Sequence, residues 1–386
     1  MKILHILTDS NTGGAGILLE NLLRYTELPK EEIAVILPHG AAMLPRYEAL
    51  GIRCLPLLTR KDRSFAPADL PRLTACLRRE KPDIVHTHAA LGGRIAAFAA
   101  RVPIRIATRH CAYPDTAPAA AVRHALNRLG DAVLTHTTIA TAEAAAENLR
   151  ALGIPARKIT RIPNGARALR RLSDPEKRDL RLQLGLREGD FVVGLAARLS
   201  PVKGHSALLD AAEILLSQHT GYRFLLVGGG PEEAAIRKRI AAPPLCGQVL
   251  MVGEVTDVAP YVNLFDVALS CSTGTETSSL ALSEAMSLGI PCIASDFGGN
   301  PEMVRPGENG LLFPAGNAPA LAACIERIRT DRALYASLSA GAIARYRRAG
   351  RAEDMAAAYD RLYRTLYAEK MTARRSGAEK KHVTRT

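Results

Sequence analysis

Two carboxylates stand eight positions apart in the stretch GTETSSLALSEAMSLG, Glu276 and Glu284, among small uncharged neighbours. Ser278 is expected to cap a helix there, and Gly289 with Pro291 to stop it, so Glu276 precedes the helix and Glu284 lies within it. Such a pair suits separate parts of an extended ligand better than a shared proton. Gly298, Gly299 and Glu302 follow closely and could border the same pocket, although Glu302 reads equally well as an ordinary helix-start anion. Upstream, RLSPVKG sets Arg198 and Lys203 around a turn at Ser200-Pro201, with a helix expected to begin at Gly204 or His205. Two cations at a helix amino terminus suit a diphosphate, whose charge they would stabilise as a bond to it breaks. Either alone reads as a solvated loop residue; the pair is the more specific signal.

Near the amino end, TGGAG places Gly13 and Gly14 where backbone amides can approach a phosphoryl group. The stretch lacks the lysine-serine pair of a phosphate-binding loop and is not the usual dinucleotide fingerprint, so a simple tight turn stays open. His86, His88 and His110 fall at expected strand ends. The long interval to His110 and the absence of a compact carboxylate cluster argue against a metal site, and none is expected. For His110, a ligand contact and a purely structural imidazole both remain open.

The elements that must position these residues come in two cycles. KILHILTD, EIAVILPH, IRCLPLL, KPDIVHTH, PIRIATRH and DAVLTHT read as strands, with helical patterns around residues 68–80, 91–100, 118–128 and 138–152. After IPNGA the chain turns strongly charged, and then FVVGLAARLS, FLLVGGG, QVLMVGEV, DVALSCS, IPCIASD and GLLFP alternate with helices. The reading is α/β: two Rossmann-like domains, each a mostly parallel sheet covered by helices, facing across a cleft where strand ends and helix starts meet a phosphorylated ligand. The expected division is an amino-terminal domain at 1–165, a charged segment at 166–189, a carboxyl-terminal domain at 190–350, a helix at 351–369 crossing back to the first domain, and a flexible basic tail at 370–386.

Composition narrows the class. A chain of 386 residues, 47% hydrophobic, is long enough for two cores, so a single small binding module is excluded. Asp9 interrupts the first apolar run before a secretory segment develops, and no apolar stretch reaches membrane-spanning length. Seven cysteines form no CxxC pair, which argues against a disulfide framework or zinc knuckle. The protein is expected in the cytoplasm. Its net charge of +13 gathers in the tail and in a run from Arg157 to Arg181. That charge reads as a solvated surface or as peripheral contact with anionic lipid at the inner face of the cytoplasmic membrane. Nucleic acid is disfavoured, because aromatic residues make up only 4% and no zinc or single-strand-binding motif is evident.

TGGAGILLENL, RLSPVKG, GTETSSLALSEAMSLG and DFGGNPEMV together resemble the ordered motifs of retaining glycosyltransferases of family 4, over about residues 2–368. The resemblance implies a GT-B fold. It also implies that Glu284 holds the nucleotide ribose hydroxyls, that Glu276 contacts the donor sugar, and that Arg198 and Lys203 hold the diphosphate. Gly14 and the amides near Thr277 and Ser278 would add neutral donors, and His110 would approach the donor sugar and reacting centre. Retention implies front-face substitution, with a leaving-phosphate oxygen taking the acceptor proton and no glycosylation of Glu276. Two departures stand out: Glu276-Thr277-Ser278-Ser279 replaces the family's glutamate-glycine-phenylalanine-like run, and Pro163-Asn164-Gly165-Ala166 replaces asparagine-glycine followed by valine or isoleucine and aspartate.

The resemblance thus implies transfer of a hexosyl or N-acetylhexosaminyl group from a nucleotide-sugar, a UDP-sugar before a GDP-sugar, to a saccharide or lipid-linked saccharide of the cell envelope, with no other cofactor. A nucleotide-sugar epimerase of the same architecture and a noncatalytic nucleotide-sugar or nucleic-acid binding protein are the alternatives. RLSPVKG followed by the glutamate motif favours transfer over both. The oligomeric state is not legible.

Overall fold

The computed structural model describes residues 1–59, 62–110 and 128–383, with side chains through Ala373. These fall into two compact units: the first runs through Gly165 and resumes at Ala352, and the second is Ala166–Arg351.

In the first unit, β1 (Ile3–Leu7), β2 (Ile33–Pro38), β3 (Arg53–Leu58), β4 (Ile84–His88), β5 (Ile104–Arg109), β6 (Thr137–Ala140) and β7 (Ile159–Arg161) form a sheet in the order β3-β2-β1-β4-β5-β6-β7. Every pairing is parallel. Each residue of β1, β2, β4 and β6 is buried, the requirement of a parallel sheet covered on both faces. The structure moves one expected element. Residues 131–134 of DAVLTHT continue a helix, and the strand is the TTIA that follows. Apolar runs this short suit helix and strand alike; here Val133 is left 43% exposed while the β-branched threonines go into the sheet. The helix expected at 138–152 accordingly starts only at Glu143. The one expected at 118–128 lies almost wholly outside the described residues. Ile159–Arg161, three residues ending in a cation, carries too short a pattern to be read as a strand.

The chain returns to this unit as a single helix, Ala352–Val383. Tyr359 and Tyr363 recur at the four-residue spacing of one helical face and are fully buried. Between them, Asp360 accepts hydrogen bonds from Thr26 Oγ1 at 2.6 Å and from the Glu27 amide at 2.8 Å. The expected break at 369–370 between helix and basic tail has no counterpart in the backbone, which stays helical through Val383. No described helix is long and apolar enough to cross a membrane.

The second unit repeats the plan with β8 (Phe191–Ala196), β9 (Tyr222–Val227), β10 (Val249–Gly253), β11 (Val267–Ser270), β12 (Cys292–Ser295) and β13 (Gly310–Phe313), all parallel, in the order β10-β9-β8-β11-β12-β13. The direction of winding reverses between β8 and β11. Loops leaving the carboxyl ends of those two strands therefore emerge side by side, and a doubly wound sheet takes its ligands at such a point.

Candidate active site

The two loops at this switch point carry the residues singled out from the sequence. After β8 the chain makes a short turn at Pro201–Lys203, and Gly204 then opens the helix His205–Gln218. Gly204 has φ +70°, and a Cβ there would lie 2.0 Å from the Cys271 carbonyl oxygen in the loop after β11. Only glycine permits that approach in that conformation. The Thr273 amide also donates to the Val202 carbonyl at 2.9 Å, so the two loops are held to one another.

Across this seam Lys203 Nζ meets Glu276 Oε2 at 2.7 Å. The same carboxylate oxygen accepts from Ser272 Oγ at 2.8 Å. Glu276 is buried at 6% exposure while the Lys203 side chain keeps 29%, so the ammonium forms the outer half of the pair. A largely buried carboxylate needs such partners. Behind it, Ser295 Oγ donates to the Ser272 carbonyl at 2.6 Å, and the fully buried Asn300 donates from Nδ2 to Ser295 Oγ at 3.1 Å. These bonds hold the Glu276 loop from the neighbouring β12 end. Lys203 also precedes a fourteen-residue helix whose amino-terminal amides favour negative charge. An ammonium with three N–H donors, a helix start and a fixed carboxylate can together receive a phosphate on one side and a hydroxyl-rich group on the other.

The other expected residues fall around this pair. Arg198 lies in the same loop as Lys203, is exposed, and makes no hydrogen bond or ion pair among the described residues. Glu284 sits half-buried on the helix Leu280–Ser287. The cap of that helix is Ser279, whose hydroxyl accepts from the Leu282 amide at 3.3 Å, and not Ser278 as expected. Thr277 and Ser278 are themselves buried, at 3% and 8% exposure. Gly298 and Gly299 close over the Glu276 backbone, and the Gly299 amide donates to the Glu276 carbonyl at 3.3 Å. Glu302 lies in the short helix Asn300–Met303, where it is the acidic residue of the first turn. Ser272 was not anticipated; a lone serine two residues beyond a strand has no distinguishing pattern.

Gly14 and His110 belong to the first unit. Gly14 is exposed at the start of the helix Gly14–Tyr25, where a backbone amide is accessible to an anion. His110 follows β5 as the last of a row of imidazoles that includes His5, a residue the sequence reading passed over. His5 Nδ1 lies 3.2 Å from His88 Nε2, and His88 Nδ1 lies 3.1 Å from His110 Nε2. His86 is bonded instead to Tyr363 OH and to Thr108 Oγ1, both at 2.7 Å. Burial lowers His5 to about 3 and His110 to about 4, and holds His86 and His88 well below the ordinary imidazole range. All four are neutral at neutral pH. The nearest ring nitrogens of His5, His86 and His88 lie within 4.8 Å of one another, a spacing a cation could bridge. The hydrogen bonds just described occupy these rings as paired core imidazoles.

Residues 12–168 match the family model described as glycosyltransferase family 4, and residues 176–345 the model for glycosyl transferases group 1. The chain superposes on Anabaena Alr3699/HepE, solved in complex with UDP-glucose, with a TM-score of 0.82 at 24% identity, covering 97% of this chain and 100% of that one. The chain is a glycosyltransferase of the GT-B fold. Among curated relatives of this glycosyltransferase, a phosphatidyl-myo-inositol mannosyltransferase of Mycobacterium leprae is 29% identical over 82% of this chain and 84% of its own length. A UDP-Gal:alpha-D-GlcNAc-diphosphoundecaprenol alpha-1,3-galactosyltransferase of Escherichia coli is 28% identical over 67% of this chain and 69% of its own.

Proposed function

We propose that this glycosyltransferase is a retaining, family 4 enzyme that moves a hexosyl or N-acetylhexosaminyl group from a UDP-sugar to a saccharide or lipid-linked saccharide of the cell envelope. The observation that carries the reading is the Lys203–Glu276 pair at the switch point of the second sheet, 2.7 Å apart, with Arg198 in the same loop. In this reading Arg198 and Lys203 neutralise the departing nucleoside diphosphate, and Glu276 holds a hydroxyl of the donor sugar. Glu284 holds the ribose. Thr277, Ser278 and Gly14 supply further donors, and His110 contacts the sugar at the reacting centre. The acceptor oxygen attacks the face the diphosphate leaves, and its proton passes to a leaving-phosphate oxygen. Support for UDP comes from the HepE complex and from the donor named for the Escherichia coli relative. The diphosphoundecaprenol acceptor of that relative and the phosphatidylinositol acceptor named for the mycobacterial one support a lipid-linked acceptor.

The deciding experiment is mass-resolved turnover over UDP-, GDP- and ADP-sugars, with and without lipid-linked saccharides. Acceptor-dependent nucleotide release together with a glycosylated product is expected; isomerised donor without transfer would move the assignment to an epimerase. Glu284→Ala should raise the Kd for UDP about 10- to 100-fold, the loss of hydrogen bonds to a charged acceptor. Titration calorimetry showing unchanged affinity would remove the ribose assignment.

A lipid-linked acceptor brings the enzyme to a membrane surface. Arg167, Arg171 and Arg178 are exposed on the second unit, where Arg170 is paired with Glu176 at 2.9 Å, and would supply positive charge for anionic headgroups. Co-sedimentation with anionic vesicles should then exceed that with neutral ones and fall as salt rises. Equal sedimentation with both would exclude the contact.

A further inference from the structure

We propose that the second unit holds a binding site for a small phosphomonoester that carries a hydroxyl, at the end of its sheet opposite the Lys203–Glu276 pair.

A cavity of about 290 Å³ opens where β11 and β12 begin. Arg171 reaches it from the charged segment that enters the unit, Lys177 and Arg181 from the helix Asp174–Gln183, and Tyr335 from the helix Arg332–Ala349. Asp266 immediately precedes β11, and Leu288–Ile290, also in the wall, lead into β12. The Lys203–Glu276 pair lies at the other ends of these strands. The helix Leu280–Ser287 begins four residues after Glu276 and ends at the cavity wall, so about 12 Å of helix separates the two places.

Lys177 and Arg181 stand four residues apart, on one helical face, where like charges repel unless an anion lies between them. Neither they nor Arg171 have an ion pair among the described residues. Arg171 donates to the Leu288 carbonyl at 2.8 Å, and Arg181 to the Arg187 and Asp190 carbonyls at 2.7 and 3.0 Å. Neutral acceptors hold the guanidinium groups in place without cancelling their charge, and leave them further N–H donors. The Asp190 carboxylate is already paired with Arg223 at 2.9 Å. Lys177 makes no side-chain hydrogen bond among the described residues.

Against these three cations the wall sets one acid, Asp266. Its Oδ2 accepts from the Val192 amide at 2.6 Å, and Oδ1 has no hydrogen bond among the described residues. The Tyr335 hydroxyl has none either; burial, then the charge of Asp266, raise it to about 12, so it remains a neutral donor. A phosphomonoester brings nearly two negative charges and three acceptor oxygens to the cations and the phenol. Asp266 Oδ1 asks in addition for a donor, which a hydroxyl on the same ligand supplies. The volume is at the lower end for ligand cavities, so it suits one small ligand.

Titration calorimetry of the full-length chain with glucose 6-phosphate tests the site, because that phosphate lies away from the anomeric carbon and does not imitate a nucleotide-sugar. Saturable binding is expected, with no binding of glucose and with inorganic phosphate weaker by about tenfold for want of the hydroxyl. Lys177→Glu should weaken glucose 6-phosphate by at least about tenfold and leave the Kd for UDP unchanged. Tyr335→Phe should weaken it about 3- to 10-fold, an effect that a diffuse basic surface would not show. Lys203→Ala should leave it unmoved. Phosphatidate vesicles read the source of the phosphate: displacement of bound glucose 6-phosphate would assign the cavity to a lipid headgroup, and no displacement to a soluble ester, with the same phosphate chemistry. Absent or non-saturable binding would overturn the proposal, as would a Kd unmoved by Lys177→Glu or by Tyr335→Phe. Binding lost in Lys203→Ala and kept in Lys177→Glu would also overturn it, by placing glucose 6-phosphate beside Glu276. None of these outcomes depends on the donor or acceptor proposed above.

Discussion

Lys203→Ala should lower kcat on the order of 10²- to 10³-fold at matched donor occupancy, the loss that follows removal of one fixed donor from a developing oxyanion. Lys203 is the inner cation of the RLSPVKG turn, held 2.7 Å from Glu276 in front of the helix His205–Gln218. Its removal has a second effect, because it leaves the Glu276 carboxylate, 6% exposed, with Ser272 but without its cation. An uncompensated buried charge destabilises on its own account, although the 29% exposure of the Lys203 side chain lets water relieve part of the cost. The two effects separate in a double-variant cycle. Lys203→Ala combined with Glu276→Gln removes the stranded charge, so thermal stability should recover towards wild type while kcat stays low. Wild-type turnover of Lys203→Ala at equal donor occupancy would show that this ammonium does not stabilise the leaving group. Recovery of kcat in the double variant would show that its whole contribution is to neutralise Glu276.

What the sequence made legible follows from which interactions are local. RLSPVKG and GTETSSLALSEAMSLG each fold into one loop and one helix start, so their residue types, spacing and turn chemistry already describe the geometry found at Lys203 and Glu276. Strands buried on both faces, such as IAVILP and the FLLV of β9, are legible because their apolar runs are continuous. DAVLTHT misleads because its three-residue apolar run, Ala132-Val133-Leu134, does not choose between helix and strand; pairing with β5 and β7 makes Thr137–Ala140 the strand. Ser278 and Ser279 compete for one cap, and the extended backbone of Ser279 decides it. The pairing of Lys203 with Glu276 spans 73 residues and depends on β8 and β11 lying side by side, which no local pattern encodes. The same is true of His5. A histidine within ILHIL is a visible oddity in an apolar strand, but its meaning comes from β4 pairing alongside and bringing His88 within 3.2 Å.

Gly298→Ala should cost the second unit about 2–4 kcal/mol and weaken UDP-sugar binding with it. Gly298 has φ +59°, and a Cβ there would lie 2.1 Å from the carbonyl oxygen of Glu276 and 3.6 Å from its Cβ. The nearest obstacle is backbone, which cannot rotate aside as a flexible side chain would. Either the β12 loop backs away, losing the Gly299 amide bond to that carbonyl, or the Glu276 loop moves and draws its carboxylate off Lys203. Gly316 supplies the control. It has φ +79° in the same unit with nothing within 4 Å of an added Cβ, so Gly316→Ala bears the left-handed backbone strain without the collision. Urea unfolding of the two variants isolates the cost of the collision, and UDP titration shows whether it reaches the site. If Gly298→Ala matches Gly316→Ala in both stability and affinity, the Glu276 carbonyl is free to shift and the β12 loop does not hold the carboxylate in place. A loss confined to Gly298→Ala would mean that the two glycines after DF serve the donor site by letting one backbone close on another, so that Glu276 meets Lys203 from a fixed position.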